Sequence, residues 1–288
     1  MGKVAVVTDS MACIPAELVK AYDIHIIPVY VVFGQKVFRD GVDLTPTQFY
    51  RMLRTTEVMP STATFSVGEC LKLYTELSRD AEAIVAVFIS REFSATVETA
   101  LEAKKLFTEG GERIPIRVID SRTAAMAQGF VALAAARAAA EGRSLAEVVK
   151  RAEDVIRRVN LMAVVDTFEY LQRSGRVPAI AAIMGSMLQI KPIISVEDGR
   201  AEVLDRPRTR AKAVRRILEI MERRVGSNPA HVAVLHGDAL EEAERLRDEV
   251  ASRFDCVELF ITELSPVLGA HAGPGVLGLA YYSEVSSG

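Results

Sequence analysis

Residues 83–121 read AIVAVFISREFSATVETALEAKKLFTEGGERIPIRVIDS. AIVAVFIS is a short, unbroken apolar run that ends in a hydroxyl, the pattern from Ser94 to about Phe107 is helical, and IRVIDS is a second apolar run, ending in Asp-Ser. Strand, helix and strand in that order make a β-α-β unit, and such units build parallel sheets. Outward from this unit, VAVVTD near the start is another strand, followed by a segment opened by Pro15. A long helix is predicted from Thr123 to Glu141, and Gly142-Arg143-Ser144 stops it and caps another that runs to about Val159. The Thr123 helix is so rich in Ala that it can approach a sheet, or a ligand, closely.

Between the first strand and this series lies IHIIPVYVVFGQKVFRDGVDLTP, two β-rich runs broken by Gly34 and closed by Asp40-Gly41. It predicts an inserted β-ribbon over about 22–60, with a short helix near Pro46 to Arg54. After residue 158 the texture changes. LMAVVD, a short helix through Tyr170-Leu171 and an irregular apolar stretch VPAIAAIMGSMLQI precede a hairpin turning at Asp198-Gly199. Helices over about Thr209–Val225 and Ala239–Phe254 then interleave with HVAVLHG and CVELFIT, and VLGLAYY follows. The expected fold is α/β in two domains. An N-terminal parallel-sheet α/β/α domain carries the ribbon (1–158), and a C-terminal α/β domain holds a mixed sheet (159–288).

The chain has 288 residues, half of them hydrophobic, with a net charge of −3. This excludes disorder, and a small stapled scaffold, and gives no global attraction to nucleic acid or an anionic membrane. Cys13, Cys70 and Cys256 are odd in number and widely spaced, which argues against a disulfide framework or a structural zinc and fits a cytoplasmic location. Residues 264–283 lack Asp, Glu, Lys and Arg over a membrane-span length, but Pro266, Gly269, Gly273, Pro274, Gly275 and Gly278 interrupt them. The stretch reads as a buried loop followed by a strand, not as a transmembrane segment.

No phosphate loop of the form G-x-x-x-x-G-K-[ST], H-E-x-x-H or G-x-S-x-G occurs. Residues 273–278 satisfy G-x-G-x-x-G but lead into β-like sequence instead of a helix, so they are no dinucleotide loop. His231 and His236 are five apart in a predicted strand, point to opposite faces and cannot share a metal. The chain itself is expected to hold no cofactor or metal.

The chain does carry hydroxyls at strand ends and before helices: Ser10, the run Ser61-Thr62-Ala63-Thr64, Ser90 with Ser94, and Ser121. A Ser or Thr before a helix is commonly just an N-cap. Four clusters at one sheet edge, where open α/β sheets bind ligands, also suit a small anion. Residues 205–224 hold eight Arg or Lys against three Asp or Glu. Most suit a solvated helix face, but Arg208 and Arg176 sit beside Pro and Gly, in turns. His271, in GAHAGPG, reads as a loop histidine with space around its ring, either structural or functional.

Taken in order, VTDS, PSTATFS, ISREFSAT, IDSRTAAMAQG, LQRSGRVP, IKPII followed by EDG, and GAHAGPG make the chain resemble the DegV family of bacterial fatty-acid-binding proteins over essentially its full length. The resemblance implies two α/β domains with a long-chain fatty acid between them. It also implies a role as the binding subunit of a fatty acid kinase, presenting the carboxylate to a separate subunit that carries ATP and Mg. By that resemblance Thr62 and Ser94 hold the carboxylate, and Arg176, Arg208 and His271 support phosphoryl transfer. Ser10, Ser61, Ser90 and Ser121 remain further candidates for the ligand site. The family commonly has T-S-Q-P-S at Thr62–Ser66 and S-S-x-x-S-G-T at Ser90–Thr96, so Ala63, Arg91 and Ala95 are departures that bear on head-group geometry. The sequence points to no nucleic acid partner and does not fix the oligomeric state. A second reading is a stand-alone hydrolase or transferase on a small anionic metabolite, with Ser94 or Ser10 as nucleophile and His271 as base. A third is a lipid-sensing interaction protein.

Overall fold

The computed structural model of the chain describes residues 3–111, 114–177 and 190–284. The central strands are β1 (Val4–Asp9) and β6 (Ala83–Phe88), buried at every residue. With β2 (Ile24–Ile27) and β7 (Ile116–Asp120) they form a wholly parallel sheet in the order β2-β1-β6-β7. The two-residue period of a strand sends alternate side chains to opposite faces. Ile84, Ala86 and Phe88 therefore enter one core with α3 (Val67–Leu77) and α4 (Thr96–Glu109), while Val85 and Val87 enter another with α5 (Ala125–Ala140) and α6 (Leu145–Ile156). Capping boxes at Ser66–Glu69 and Ser144–Glu147 start α3 and α6.

The ribbon differs from the sequence expectation at both ends. IHII does not join it: α1 (Ala16–Ala21) returns this run beside β1 as β2, and Pro28 separates it from β3 (Tyr30–Phe33). At the other end Ser61–Ala63 is not simply a lead-in to a helix but a third ribbon strand, β5, giving an antiparallel order β4-β3-β5 with β4 at Lys36–Arg39. Between β4 and β5, α2 (Pro46–Thr55) is opened by a Thr45–Gln48 capping box.

The remaining strands form a six-stranded mixed sheet, in the order β10-β9-β8-β13-β11-β12. They are β8 (Asn160–Val164), β9 (Ile193–Glu197), β10 (Arg200–Asp205), β11 (Ala230–His236), β12 (Cys256–Glu263) and β13 (Leu277–Ser283). Only β11 and β12 pair in parallel. Asp198 and Gly199 both have positive φ, the signature of the tight hairpin turn between β9 and β10. α8 (Arg210–Val225) and α9 (Leu240–Arg253) cover the outer face. Most of the stretch VPAIAAIMGSMLQI falls at 178–189, outside the described residues.

Residues 264–283 also differ from the sequence reading. The predicted loop is a helix, α10 (Pro266–Ala272), preceded by α7 (Glu169–Ser174) in chain order and packed against it. Ser265 caps α10, Pro266 takes its first position, and Gly273 at φ +78° ends it. Start and stop signals bracketing only seven residues define one short helix where glycine content alone suggested a loop. His271 thus lies in the last turn of a helix, not in a glycine-rich loop.

α5 joins the halves. Except for Gln128 and Arg137 it is apolar, and it is buried along most of its length, resting on β1 and β6 on one side and on β13 on the other. A Cβ on Gly129 would stand 2.6 Å from the Ala12 carbonyl, so glycine permits the close approach to the first loop. Phe130 meets Tyr282 edge-on at 5.3 Å, and both ends of the Arg137 guanidinium bind Glu258, which also meets His231 Nδ1 at 2.7 Å. His231 is held in this cluster, while His236 Nδ1 accepts the Ala239 N–H at 3.4 Å, so the two rings serve different surroundings.

Candidate functional site

The order of the parallel sheet reverses at β1, with β2 on one side and β6 on the other, so loops after β1 and β6 diverge and leave a crevice at their carboxyl ends. Asp9, the last residue of β1, bridges these loops. Its carboxylate accepts the N–H groups of Met11 (3.0 Å) and Ile89 (3.1 Å) and the Gln128 amide (3.0 Å). Burial pushes its pKa up to about 6 despite those donors.

Over this edge lies a cavity of about 310 Å³, roofed by the inner face of the mixed sheet. Ile89, Phe93 and Ala124 contribute from the first half; Ala163, Ile194 and Ala201 from the second. The lining is apolar except for Thr62, Thr64, Ser94, Ser174, Arg176 and His271.

The polar group is assembled from four separate segments. Thr62 lies on β5, held opposite Val31 of β3. His271 comes from α10, and its Nε2 is 3.0 Å from Thr62 Oγ1. Burial, and then the positive charge of Arg176, lower the His271 pKa to about 4, so the imidazole is neutral at neutral pH. Arg176 follows Gly175, whose φ of +66° ends α7, and the Arg176 Nη1 donates to the Ser174 carbonyl at 2.6 Å. Ser94 stands just before α4, its backbone N–H bonded to the Ser90 carbonyl at 3.3 Å. A neutral imidazole, hydroxyls and one guanidinium in the wall of an apolar chamber suit an anionic head-group on an apolar body.

Thr62, Ser94, Arg176 and His271 therefore line one cavity. The other candidates do not line it. Ser10 donates to Asp40 at 2.8 Å and accepts the Val29 N–H. The Ser90 hydroxyl donates to the Gly199 carbonyl at 2.7 Å, tying the β9–β10 turn to the first half. Arg122–Asp198 and Arg200–Glu92 ion pairs flank that contact. The Ser121 hydroxyl is engaged with Thr123. Ser61 is exposed and alternates with Thr62 along β5, and Arg208 is exposed between β10 and α8. Neither Ser10 nor Ser94 is among the described partners of His271, whose hydroxyl neighbour is a threonine.

The departures in the head-group segments also find their places. Arg91 turns to Glu98 and Asp120, at 3.5 and 3.2 Å, and is not part of the lining. Ala63 and Ala95 do line it, and Ala95 has φ −80° and ψ 14°, a conformation that does not require glycine. Of the polar lining residues, Thr64 belongs to the hydroxyl run that the sequence already singles out, and only Ser174 carries no signal there, since a Ser before Gly175 reads as an ordinary helix end.

Fold and site define a class: a two-domain α/β protein with a cavity that is apolar but for a few polar residues. The family model described as "Uncharacterised protein, DegV family" matches residues 3–284, and the chain belongs to the DegV family. It is 32% identical over 280 residues to the protein DegV of Bacillus subtilis, covering 96% of this chain and 98% of that one. It is 35% identical over 287 residues to a DegV domain-containing protein of Streptomyces coelicolor, covering 98% and 99%. Among solved structures it matches a DegV family protein of Thermus thermophilus, described for its fatty acid binding, at a TM-score of 0.91 and 29% identity, with coverage of 98% and 100%. The crystal structure of DegV from Bacillus subtilis, a fatty acid binding protein, matches at 0.90 and 31%, with coverage of 99% and 100%.

Proposed function

We propose that the chain binds a long-chain fatty acid in this cavity, its carboxylate between Thr62 and Ser94, and presents that carboxylate to a separate kinase subunit. The observation that carries the reading is the distribution of polarity in the lining, apolar throughout except for one group drawn from β5, α7, α10 and the start of α4. Relatives that bind fatty acids share the whole fold.

Burying an acyl chain stabilises the complex by about 0.8 kcal/mol per CH₂, so a sixteen-carbon tail supplies on the order of 10 kcal/mol before the costs of binding. Hydrogen bonds to a charged group add about 1.5–3 kcal/mol each. The tail dominates affinity, and the hydroxyls fix where the carboxylate lies.

On the kinase subunit, ATP with Mg would supply the phosphoryl group. A carboxylate oxygen attacks the γ-phosphorus, the bond to the ADP oxygen breaks, and acyl phosphate and ADP result. Spread negative charge in that transition state calls for cations, and Arg176 with the exposed Arg208 are this chain's candidates, with the neutral imidazole of His271 as a hydrogen-bonding group beside them. No phosphate loop occurs in the sequence, which agrees with the nucleotide being held by the partner. The reading puts the protein to work in the cytoplasm. No helix among the described residues is long and apolar enough to cross a membrane.

Lipid extraction and native mass spectrometry of the purified protein test the first step. A bound long-chain fatty acid is expected. A reproducibly empty protein with no affinity for added fatty acid overturns the reading.

A further inference from the structure

Asp9, fully buried at the end of β1, opens the short turn Ser10–Ala12, and the bond it accepts from the Met11 N–H is the one a residue in that position ordinarily makes. Its other two bonds are not local. Oδ2 accepts the Ile89 N–H at 3.1 Å, 80 residues away and just past β6, and Oδ1 accepts the Gln128 amide at 3.0 Å, 119 residues away in α5. The same Gln128 nitrogen reaches the Thr8 hydroxyl at 3.0 Å, and Gln128 is itself fully buried. With its pKa at about 6, the Asp9 carboxyl is ionised at neutral pH.

These bonds hold the floor of the cavity. Met11 and Ile89 both line it, and so do Ala124 and Ala125, one turn before Gln128 at the start of α5. The pairing of β1 with β6 ends at Thr8 and Val87, so the carboxylate sets the spacing of the two loops beyond the reach of the sheet. All three partners are N–H donors, two on Oδ1 and one on Oδ2. Among side chains of this size only an ionised carboxylate accepts at both ends and donates at neither. An asparagine of the same shape must turn its NH₂ to one end, towards the Ile89 N–H or towards the Met11 N–H, and so gives up one of the two loops.

We propose that Asp9 is a positioning residue for acyl-chain selection: by holding Met11, Ile89 and the first turn of α5 together it fixes the width of the cavity floor, and with it which tails fit. The selectivity part of the test rests on the fatty acid reading; the spectroscopic part does not. D9N should admit a kinked tail more readily, so the ratio of affinities for a cis-monounsaturated over a saturated eighteen-carbon fatty acid is expected to rise at least about threefold. Lower stability alone does not move that ratio in folded protein. A243G, which loosens the core on the outer face of the mixed sheet, is expected to keep the wild-type ratio. In lipid-free, full-length protein, D9N is expected to move the Met11 and Ile89 methyl NMR signals and to speed hydrogen exchange at one of the two amides at least about tenfold. Q128M, which keeps the carboxylate and removes only its tie to α5, is expected to move the ratio and the methyl signals in the same direction by less. A folded D9N with the wild-type ratio, or with unmoved methyl signals, overturns the proposal. If D9N does not fold, the same result in Q128M overturns it. If the wild type binds no fatty acid, the fatty acid reading fails, and the methyl signals still decide whether Asp9 sets the cavity floor.

Discussion

His271 Nε2 and Thr62 Oγ1, 209 residues apart in sequence, meet at 3.0 Å across the junction between the ribbon and the second half of the chain. The contact places an uncharged imidazole on a hydroxyl in the wall of an apolar chamber, and it exists only when both halves are in place.

Removing either hydroxyl of the head-group site should cost affinity without emptying the cavity. Thr62→Val and Ser94→Ala are each expected to weaken fatty acid binding by about 10- to 100-fold, the equivalent of one hydrogen bond to a charged group. Titration with a fluorescent fatty acid checks this. Wild-type affinity in both variants would remove the carboxylate from this end of the cavity.

The His271 ring should remain neutral far below the usual histidine range in the free protein, titrating near pH 4. Because its folded pKa lies below its unfolded value, its contribution to stability is complete above about pH 6.5 and is lost as pH falls through 4. A bound carboxylate favours the charged imidazolium, so ligand should raise this pKa. Histidine NMR titrations of free and fatty-acid-loaded protein measure both directions.

Arg176→Ala and Arg208→Ala should separate binding from transfer. Fatty acid affinity is expected to stay within about threefold of wild type, because in this reading the hydroxyls of Thr62 and Ser94, and not the guanidiniums, hold the carboxylate. Acyl phosphate formation with a kinase subunit and ATP should fall by at least about tenfold. Loss of the lipid from either variant would show that these guanidiniums hold the ligand instead.

Gly199 has φ +86°, and a Cβ there would lie 2.8 Å from the Ser90 hydroxyl. Gly199→Ala should destabilise the protein by about 1–3 kcal/mol through backbone strain and the loss of the hydrogen bond across the halves. Ser90→Ala, which removes only the hydrogen bond, should cost less. Denaturant unfolding of the two variants gives the order.

Ala201 of β10 and Val196 of β9 are cross-strand neighbours in the cavity wall. Ala201→Phe should fill part of the chamber, so that long chains bind more weakly while short chains are less affected. A chain-length series measured by calorimetry checks this.

The sheets were legible wherever local pattern and tertiary role coincide. AIVAVFIS is buried on both faces, as a central parallel strand between helical layers must be, IRVIDS pairs beside it at the edge of the sheet, and Asp198-Gly199 makes the turn its chemistry demands. IHII was misassigned to the ribbon because four apolar residues fit either sheet, and only the return through α1 chooses β1 as neighbour. At the site, Ser10, Ser90, Ser94 and Ser121 carry the same local signature. One lines the cavity and three are engaged elsewhere, with Asp40, Gly199 and Thr123, and those partners lie in the folded molecule. Thr62 and His271 stand out in structure because the ribbon and α10 cross, which no spacing rule encodes.

α5 has consequences for how anything enters the chamber. A helix whose surface is apolar except at Gln128 and Arg137, pressed between β1 and β13, works as a dowel through both halves. Swinging the halves apart would wet that surface at about 25 cal/mol for each Å² exposed, and would also break the Arg137–Glu258 and Ser90–Gly199 links. Traffic into the cavity is therefore cheapest by shifting small elements along its rim, with the dowel left in place.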